Sequence, residues 1–155
     1  MRVCVFCGSH AGSHPEFTTQ TIELGKLLAV NNFELVYGGA NVGLMKLLAE
    51  SFMQHGGLAT GIIPHFLAEK HLVQPNLHKT ILVETMQERK IKMAELAEAF
   101  VALPGGYGTL EELFEVTTAS QLGLHQKPLI LGNINHFYDH MLAHRDVMIA
   151  NEFVD

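Results

Sequence analysis

Short, continuous apolar runs alternate with longer amphipathic stretches from one end of the chain to the other. Arg2–Cys7 is an apolar run stopped by Gly8 and Ser9, which predicts a buried strand leading into a turn. Pro15 then opens an amphipathic helix that carries Phe17, Ile22, Leu24, Leu27 and Leu28 and ends near Asn31 and Asn32. Phe33–Tyr37 predicts a second strand, cut by Gly38 and Gly39. Val42–His55 predicts a second helix, closed by Gly56 and Gly57. Leu58–Ile63 reads as the third strand and ends at Pro64. His65 to Lys79 is less regular, with room for a short helix and a loop around Pro75. Thr80–Val83, Ala99–Leu103 and Pro128–Leu131 supply further strands, and helices are expected over Thr85–Ala97, Thr109–Leu122 and Tyr138–Ala150. Thr85 and Glu88 have the spacing of a capping box.

Strands that are apolar at every position, not every second one, are covered on both faces, and that is the pattern of a parallel sheet. Right-handed crossovers then give a three-layer, doubly wound, Rossmann-like α/β fold, expected as a single domain over 1–155. Sheets of this kind take ligands beyond the carboxyl ends of their strands. The sequence places three glycine turns there: Gly8, Gly38–Gly39 and Gly105–Gly106. With 155 residues and 48% hydrophobic content, the chain fills one core, and 17% charged residues is far from the composition of a disordered chain.

Charge narrows the partners. The net charge is −6 and no run of Lys or Arg occurs, which argues against a nucleic-acid surface and leaves a small anionic ligand held by one or two local cations. No apolar stretch approaches a membrane span, and Met1 leads directly into a strand without a basic segment and apolar leader, so a cytoplasmic protein is expected. Cys4 and Cys7 are the only cysteines. Their C-x-x-C spacing falls on a strand, where residues three apart face opposite sides, so they are expected to be two buried structural thiols.

The strongest chemical signal is the run from Phe100 to Glu112, in which an apolar strand ends at Pro104, Gly105, Gly106 and Gly108 flank Tyr107, and a helix follows. Glycines let the backbone approach a ligand closely, and free amides at a helix N-terminus form an anion site to which Thr109 adds a hydroxyl. No lysine follows the glycines as in a Walker loop. Glu111, Glu112 and Glu115 crowd the first turns of that helix. Two readings stand for them: compensation of the helix dipole, or a task such as stabilising a cation formed during reaction. Arg89 sits on the apolar side of its helix, between Met86 and Met93, so it needs an anionic partner such as a glutamate of the next helix, or a substrate. Lys90 is expected to be solvated, although within reach of a phosphate. His136, His140 and His144 recur every four residues along a prospective helix face and are read as a solvated face, not a metal site.

Together these residues resemble the Lonely Guy (LOG) family of cytokinin-activating phosphoribohydrolases. The family signature P-G-G-x-G-T-x-x-E is complete in Pro104–Glu112, and Val3–Ser9, Leu35–Gly39, Val42–Met45, Met86–Lys90 with Met93 and Ala94, Gln121–Gly123 and Lys127–Pro128 are similar too. The resemblance implies hydrolysis of the N-glycosidic bond of an adenosine 5′-monophosphate, N6-prenylated or not, to free base and ribose 5-phosphate. It implies Arg89 and Glu112 as the catalytic pair. Gly105, Gly106, Tyr107, Gly108 and Thr109 would hold the 5′-phosphate. Gly8, Ser9, Gly39, Lys90, Glu111 and Thr118 would complete the substrate site. No metal or other cofactor is required, and a cytosolic homodimer with its pocket close to the interface is expected. Lysine decarboxylation, an old label for many members, has no support from a pyridoxal-phosphate lysine context in this sequence.

Three positions depart from the family's usual pattern. Ala119 stands where a tryptophan is common, His71 near a usual glutamate, and Ala40 at a frequent glycine. They bear on base preference and leave the phosphate and catalytic residues intact. The chain is shorter than many members, so a final strand or helix is expected to be missing. The alternative function is a non-catalytic nucleotide or cofactor carrier on the same scaffold, which would need the loop but not the Arg89–Glu112 pair.

Overall fold

In a computed structural model, residues 1–154 are described. Six strands form one sheet: β1 (Arg2–Phe6), β2 (Glu34–Tyr37), β3 (Ala59–Pro64), β4 (Lys79–Val83), β5 (Ala99–Ala102) and β6 (Leu129–Leu131). Their order across the sheet is β4-β3-β2-β1-β5-β6, and every neighbouring pair is parallel. The chain therefore builds outward from β1 in one direction, then returns and builds outward in the other. That reversal leaves a crevice between β1 and β5 at the carboxyl edge of the sheet.

The helices are α1 (Pro15–Val30), α2 (Gly43–Gln54), α3 (His65–Ala68), α4 (Met86–Leu96), α5 (Tyr107–Gln121) and α6 (Asp139–Ala150), with a 3-10 turn at Ile134–His136. Pro15 occupies the first turn of α1, where its missing N–H costs nothing, and the His14 side chain accepts from Glu16 N. Thr85 caps α4 by accepting from Glu88 N at 3.0 Å. The reciprocal bond reaches one residue further back than a capping box would place it, from Glu84 N to Glu88 Oε2 at 2.7 Å.

Strand alternation sorts β1 between two cores. Val3, Val5 and Cys7 pack with Leu28 of α1 and with Leu44, Leu48 and Phe52 of α2. Cys4 and Phe6 pack with Met93 of α4, Leu113 and Val116 of α5, and Tyr138. The two cysteines thus lie on opposite faces as expected. Burial pushes both thiols well above their ordinary range, which keeps them protonated and unreactive. Cover on both faces is what makes every central strand position apolar.

The structure departs from the sequence pattern in three places. Helix α5 begins at Tyr107, two residues before the expected start, so half of the glycine loop is already the first helical turn. After β3 the expected short helix is the one-turn α3, but where a loop is expected Val73 pairs antiparallel with Ala40. This bridge ties the segment to the glycine turn that follows β2. His136 belongs to the 3-10 turn and contacts Asp139, so only His140 and His144 lie on α6.

Candidate active site

Arg89 and Glu112 meet beyond the carboxyl edge of the sheet, both buried. Arg89 extends from α4 and donates through Nε to Ile62 O at 3.0 Å and through Nη2 to Gly38 O at 3.1 Å. Its Nη1 reaches Glu112 Oε1 at 3.4 Å. A Cβ at Gly38 would collide with the guanidinium, so this glycine makes the space that Arg89 fills. The glutamate of the next helix inferred from the core-facing arginine is Glu112.

Glu112 lies one turn into α5. Burial raises its carboxyl from the ordinary 4.5 to about 7; Arg89 opposes the rise, Glu111 adds to it, and Lys90 opposes it. Among the described residues no protein donor other than Arg89 reaches the carboxylate. Desolvation therefore outweighs the ion pair, and the group is poised to exchange a proton near neutrality.

Lys90 is not solvated. Its ammonium is largely covered and sits between Glu111 Oε1 at 2.8 Å and Glu115 Oε2 at 2.6 Å. Those bonds, first to Glu111 and then to Glu115, hold its pKa above the usual lysine value. The reason is packing: α4 lies beside α5, and two carboxylates four residues apart on α5 bracket one ammonium. The three glutamates are thereby divided, two to Lys90 and one to Arg89.

The glycine loop leaves a set of backbone amides free. Gly8 N donates to Pro104 O at 3.0 Å and fixes the loop against the end of β1. Helix α5 has no side-chain cap. Its first internal bond is Leu110 N to Gly106 O at 3.1 Å, so among the described residues the amides of Gly106, Tyr107, Gly108 and Thr109 have no acceptor. A Cβ at Gly105 would strike the Thr109 side chain, so the hydroxyl of Thr109 lies tight against the loop backbone. Tyr107 is 93% exposed and projects from the mouth.

These groups line one cavity of about 330 Å³. Ser9, Gly106–Thr109, Arg89 and Glu112 form its polar side; Val42, Met45, Leu67 and Leu72 form an apolar lobe. Sequence reasoning missed this lobe, because Leu67 and Leu72 lie in the irregular stretch whose position depends on the Ala40–Val73 bridge. Met45 could have been found from its place behind the second glycine turn. Ala40 lines the same cavity; His71 is exposed with φ +57, and Ala119 is half-buried on α5.

Not every expected residue reaches this cavity. Lys90 and Glu111 stand behind it as an ion pair. Gly39 shapes the turn with φ +75, its backbone pressed against Gly61. Gly8 and Gly105 line a neighbouring cavity instead. Thr118 is exposed and lines a separate groove of about 500 Å³ between α5, β6 and α6. It lies six residues beyond Glu112, roughly 240° around the helix, so the two side chains leave α5 on different sides and line different cavities. Among the described residues no group of three metal-ligating side chains occurs, and no helix is long and apolar enough to cross a membrane.

A family model described as "Possible lysine decarboxylase" matches residues 45–155. The Arabidopsis thaliana cytokinin riboside 5′-monophosphate phosphoribohydrolase LOG2 is 44% identical over 153 residues, covering 99% of this chain and 72% of that protein. The rice protein LOGL9, named a probable enzyme of the same kind, is 45% identical over 99% of this chain and 67% of its own length. The chain belongs to the LOG family. The fold extends to more distant proteins. The molybdenum cofactor binding protein of Rippkaea orientalis superposes with a TM-score of 0.70 at 25% identity, covering 84% of this chain and 74% of that one. A Chlamydomonas reinhardtii Moco carrier protein superposes with a TM-score of 0.70 at 21% identity, over 94% of this chain and 84% of its own. In LOG-family terms, the signature Pro104–Glu112 is the segment that carries both the uncapped amides and the buried carboxylate.

Proposed function

We propose that this chain is a nucleoside 5′-monophosphate phosphoribohydrolase acting on adenosine 5′-monophosphate or its N6-modified forms. The observation that carries the reading is a buried, cation-paired carboxylate in the same cavity as an uncapped helix N-terminus. Loop amides and the Thr109 hydroxyl hold the 5′-phosphate, with Ser9 opposite. The positive end of the α5 dipole favours the anion. Phosphate held remotely fixes the sugar, so binding energy is used to orient the reacting carbon.

Glu112 then faces the ribose. As the C1′–N bond breaks, its electron pair leaves with the base, and C1′ becomes an oxocarbenium centre. The carboxylate stabilises that charge and accepts a proton from the water that attacks C1′, while the departing base takes up a proton from solvent, so that free base and ribose 5-phosphate are the products. Arg89 holds Glu112 in place and keeps part of its population ionised at neutral pH. The apolar lobe at Met45, Leu67 and Leu72 receives the base and its N6 substituent. Lys90 is ion-paired and strongly protonated, the opposite of what imine chemistry needs, so lysine decarboxylation has no support in this site.

The relatives named as phosphoribohydrolases favour the same reaction. The carrier reading is weaker: a carrier needs the loop alone, whereas this chain also maintains a buried Arg89–Glu112 pair at a cost in stability. A cytoplasmic homodimer is part of the proposal. Met86, Ile91, Phe114 and Leu122 are exposed on and after the two helices that carry Arg89 and Glu112, and a second copy would cover them. Such packing is also the means by which Thr118 could approach a site, that of the neighbouring copy. The charge of −6 supports neither nucleic acid nor an anionic membrane as partner.

The test is chromatographic. Purified protein is given AMP, N6-isopentenyl-AMP and the corresponding nucleosides. Free base released from the monophosphates alone is the expected result. Stoichiometric nucleotide binding without base release would establish the carrier instead, and sedimentation of the same sample reads the dimer.

A further inference from the structure

A second cavity opens on the other side of the glycine loop. It measures about 230 Å³ and shares Ser9 and Gly106 with the Arg89–Glu112 cavity, so only the ridge where Ser9 faces the start of α5 divides the two. Its walls are apolar and aromatic, from Phe17 in the first turn of α1, Phe137 ahead of α6, Leu44 and Pro104. The rings of Phe17 and Phe137 meet edge to face at 5.8 Å. Phe137 packs at 4.9 Å on the buried Tyr138, whose hydroxyl donates to Leu103 O at 2.6 Å. Phe17 lies against Gly12, where φ is +76 and a Cβ would run into the ring. The walls are therefore fixed in place. One edge is polar: Ser9 Oγ and His10 Nδ1 are 3.3 Å apart, and the other ring nitrogen of His10 has no partner among the described residues.

The position matters as much as the lining. The cavity lies beyond the carboxyl ends of β1 and β5, at the point where strand order reverses. In doubly wound sheets this crevice takes dinucleotides, with the pyrophosphate on a helix N-terminus. Gly106, the N-cap of α5, whose amide has no acceptor among the described residues, lines both cavities. An apolar cavity of about 150 Å³ holds benzene, so this one has room for a bicyclic ring, and it is open enough for an attached sugar to lead out of it.

We infer that the second cavity is a subsite for a ring system joined through the 5′-phosphate to the nucleoside in the first, so that the protein binds dinucleoside 5′,5′-diphosphates. The inference rests on the proposed placement of the 5′-phosphate on the glycine loop. No bond is broken in this mode; the ligand competes with the monophosphate.

The probe is P1,P2-di(adenosine-5′) diphosphate, titrated calorimetrically into the purified chain beside AMP and then used as competitor in the base-release assay. It binds about tenfold more tightly than AMP, the gain expected from enclosing a second base against aromatic walls. Phe137→Ala abolishes that gain by removing a wall. Ala11→Leu abolishes it by filling the cavity from its rim, and it decides the matter if Phe137→Ala does not fold. Both variants leave the KM for AMP within about twofold, because they lie outside the first cavity. A dinucleotide that binds no better than AMP, or whose advantage survives both substitutions, overturns the second subsite while AMP turnover still supports the enzyme. A protein that binds neither overturns both.

Discussion

Arg89 Nη1 and Glu112 Oε1 stand 3.4 Å apart, farther than the guanidinium stands from the backbone carbonyls of Ile62 and Gly38, at 3.0 and 3.1 Å. Charge-assisted bonds typically close to about 2.7–2.9 Å, so the carboxylate does not anchor the arginine. The ends of β2 and β3 do. Arg89 is a cation fixed by the sheet and presented to a carboxylate that receives little else. This arrangement suits a group that must change charge during a reaction more than it suits a structural ion pair.

Glu112→Gln tests the assigned role most directly. The amide keeps the shape but can neither accept a proton nor carry negative charge toward C1′. Base release is expected to fall by about 10²–10⁴-fold with nucleotide binding retained by calorimetry. A Glu112→Gln protein that turns over at the wild-type rate would remove Glu112 from the chemistry.

The same substitution has a thermodynamic signature. The folded carboxyl titrates near 7, above its ordinary 4.5, so the folded state keeps a proton that the unfolded chain releases between these values. The stability contributed by that protonated form is complete below about pH 4.5, is lost as pH rises through 7, and stays lost above it. The loss is on the order of 2–4 kcal/mol. Glu112→Gln is blind to this titration. Its thermal midpoint should match wild type near pH 4.5 and exceed it increasingly up to pH 8. Wild-type activity should rise with pH through an apparent value near 7. A variant whose relative stability instead declines with pH would show that the ion pair outweighs burial.

Arg89→Ala removes the opposing influence. Glu112 then titrates above 7, the carbonyls of Ile62 and Gly38 lose their donor, and a cavity remains where the guanidinium lay. Breaking a buried pair by removing one partner costs about 3–5 kcal/mol. Turnover at pH 7 should be lost, with a fraction recovered at pH 9 if the protein stays folded. Arg89→Lys should restore little, since a single ammonium cannot serve Ile62 O, Gly38 O and Glu112 along the diverging directions of a planar fork. Urea unfolding at fixed pH and a pH–rate profile read the two effects separately.

Much of this was legible in the residues. Continuous apolar strands give a sheet covered on both sides, and Arg89 on a core-facing stripe demands an anion that the structure supplies. The signature places both the loop and Glu112. Lys90 was misread because the side of α4 that faces α5 is set by how the two helices pack, which spacing within one helix does not reveal. Thr118 lies near the signature in sequence, but helical rotation carries it into a different groove. The apolar lobe depends on the Ala40–Val73 bridge, a long-range pairing with no local signature.

The glycine loop separates fold from function. A Cβ at Gly105 would strike the Thr109 side chain and come within 3.0 Å of Gly8 N, so Gly105→Ala should lower the thermal midpoint and weaken binding together. At Gly106 and Gly108 a Cβ would meet nothing within 4 Å, and neither has a positive φ. The fold therefore gives no reason for glycine at these two positions. Gly108 even lies inside α5, where alanine is favoured by roughly 0.5–1 kcal/mol. The proposed placement of a phosphate against the loop backbone would supply the missing reason. Gly108→Ala should keep or raise the thermal midpoint while increasing the KM for AMP by about tenfold or more, the loss expected when an anion is held away from helix amides. Gly106→Ala should behave alike in binding. Unchanged KM in both variants would move the phosphate off this loop, and with it the alignment that brings C1′ to Glu112.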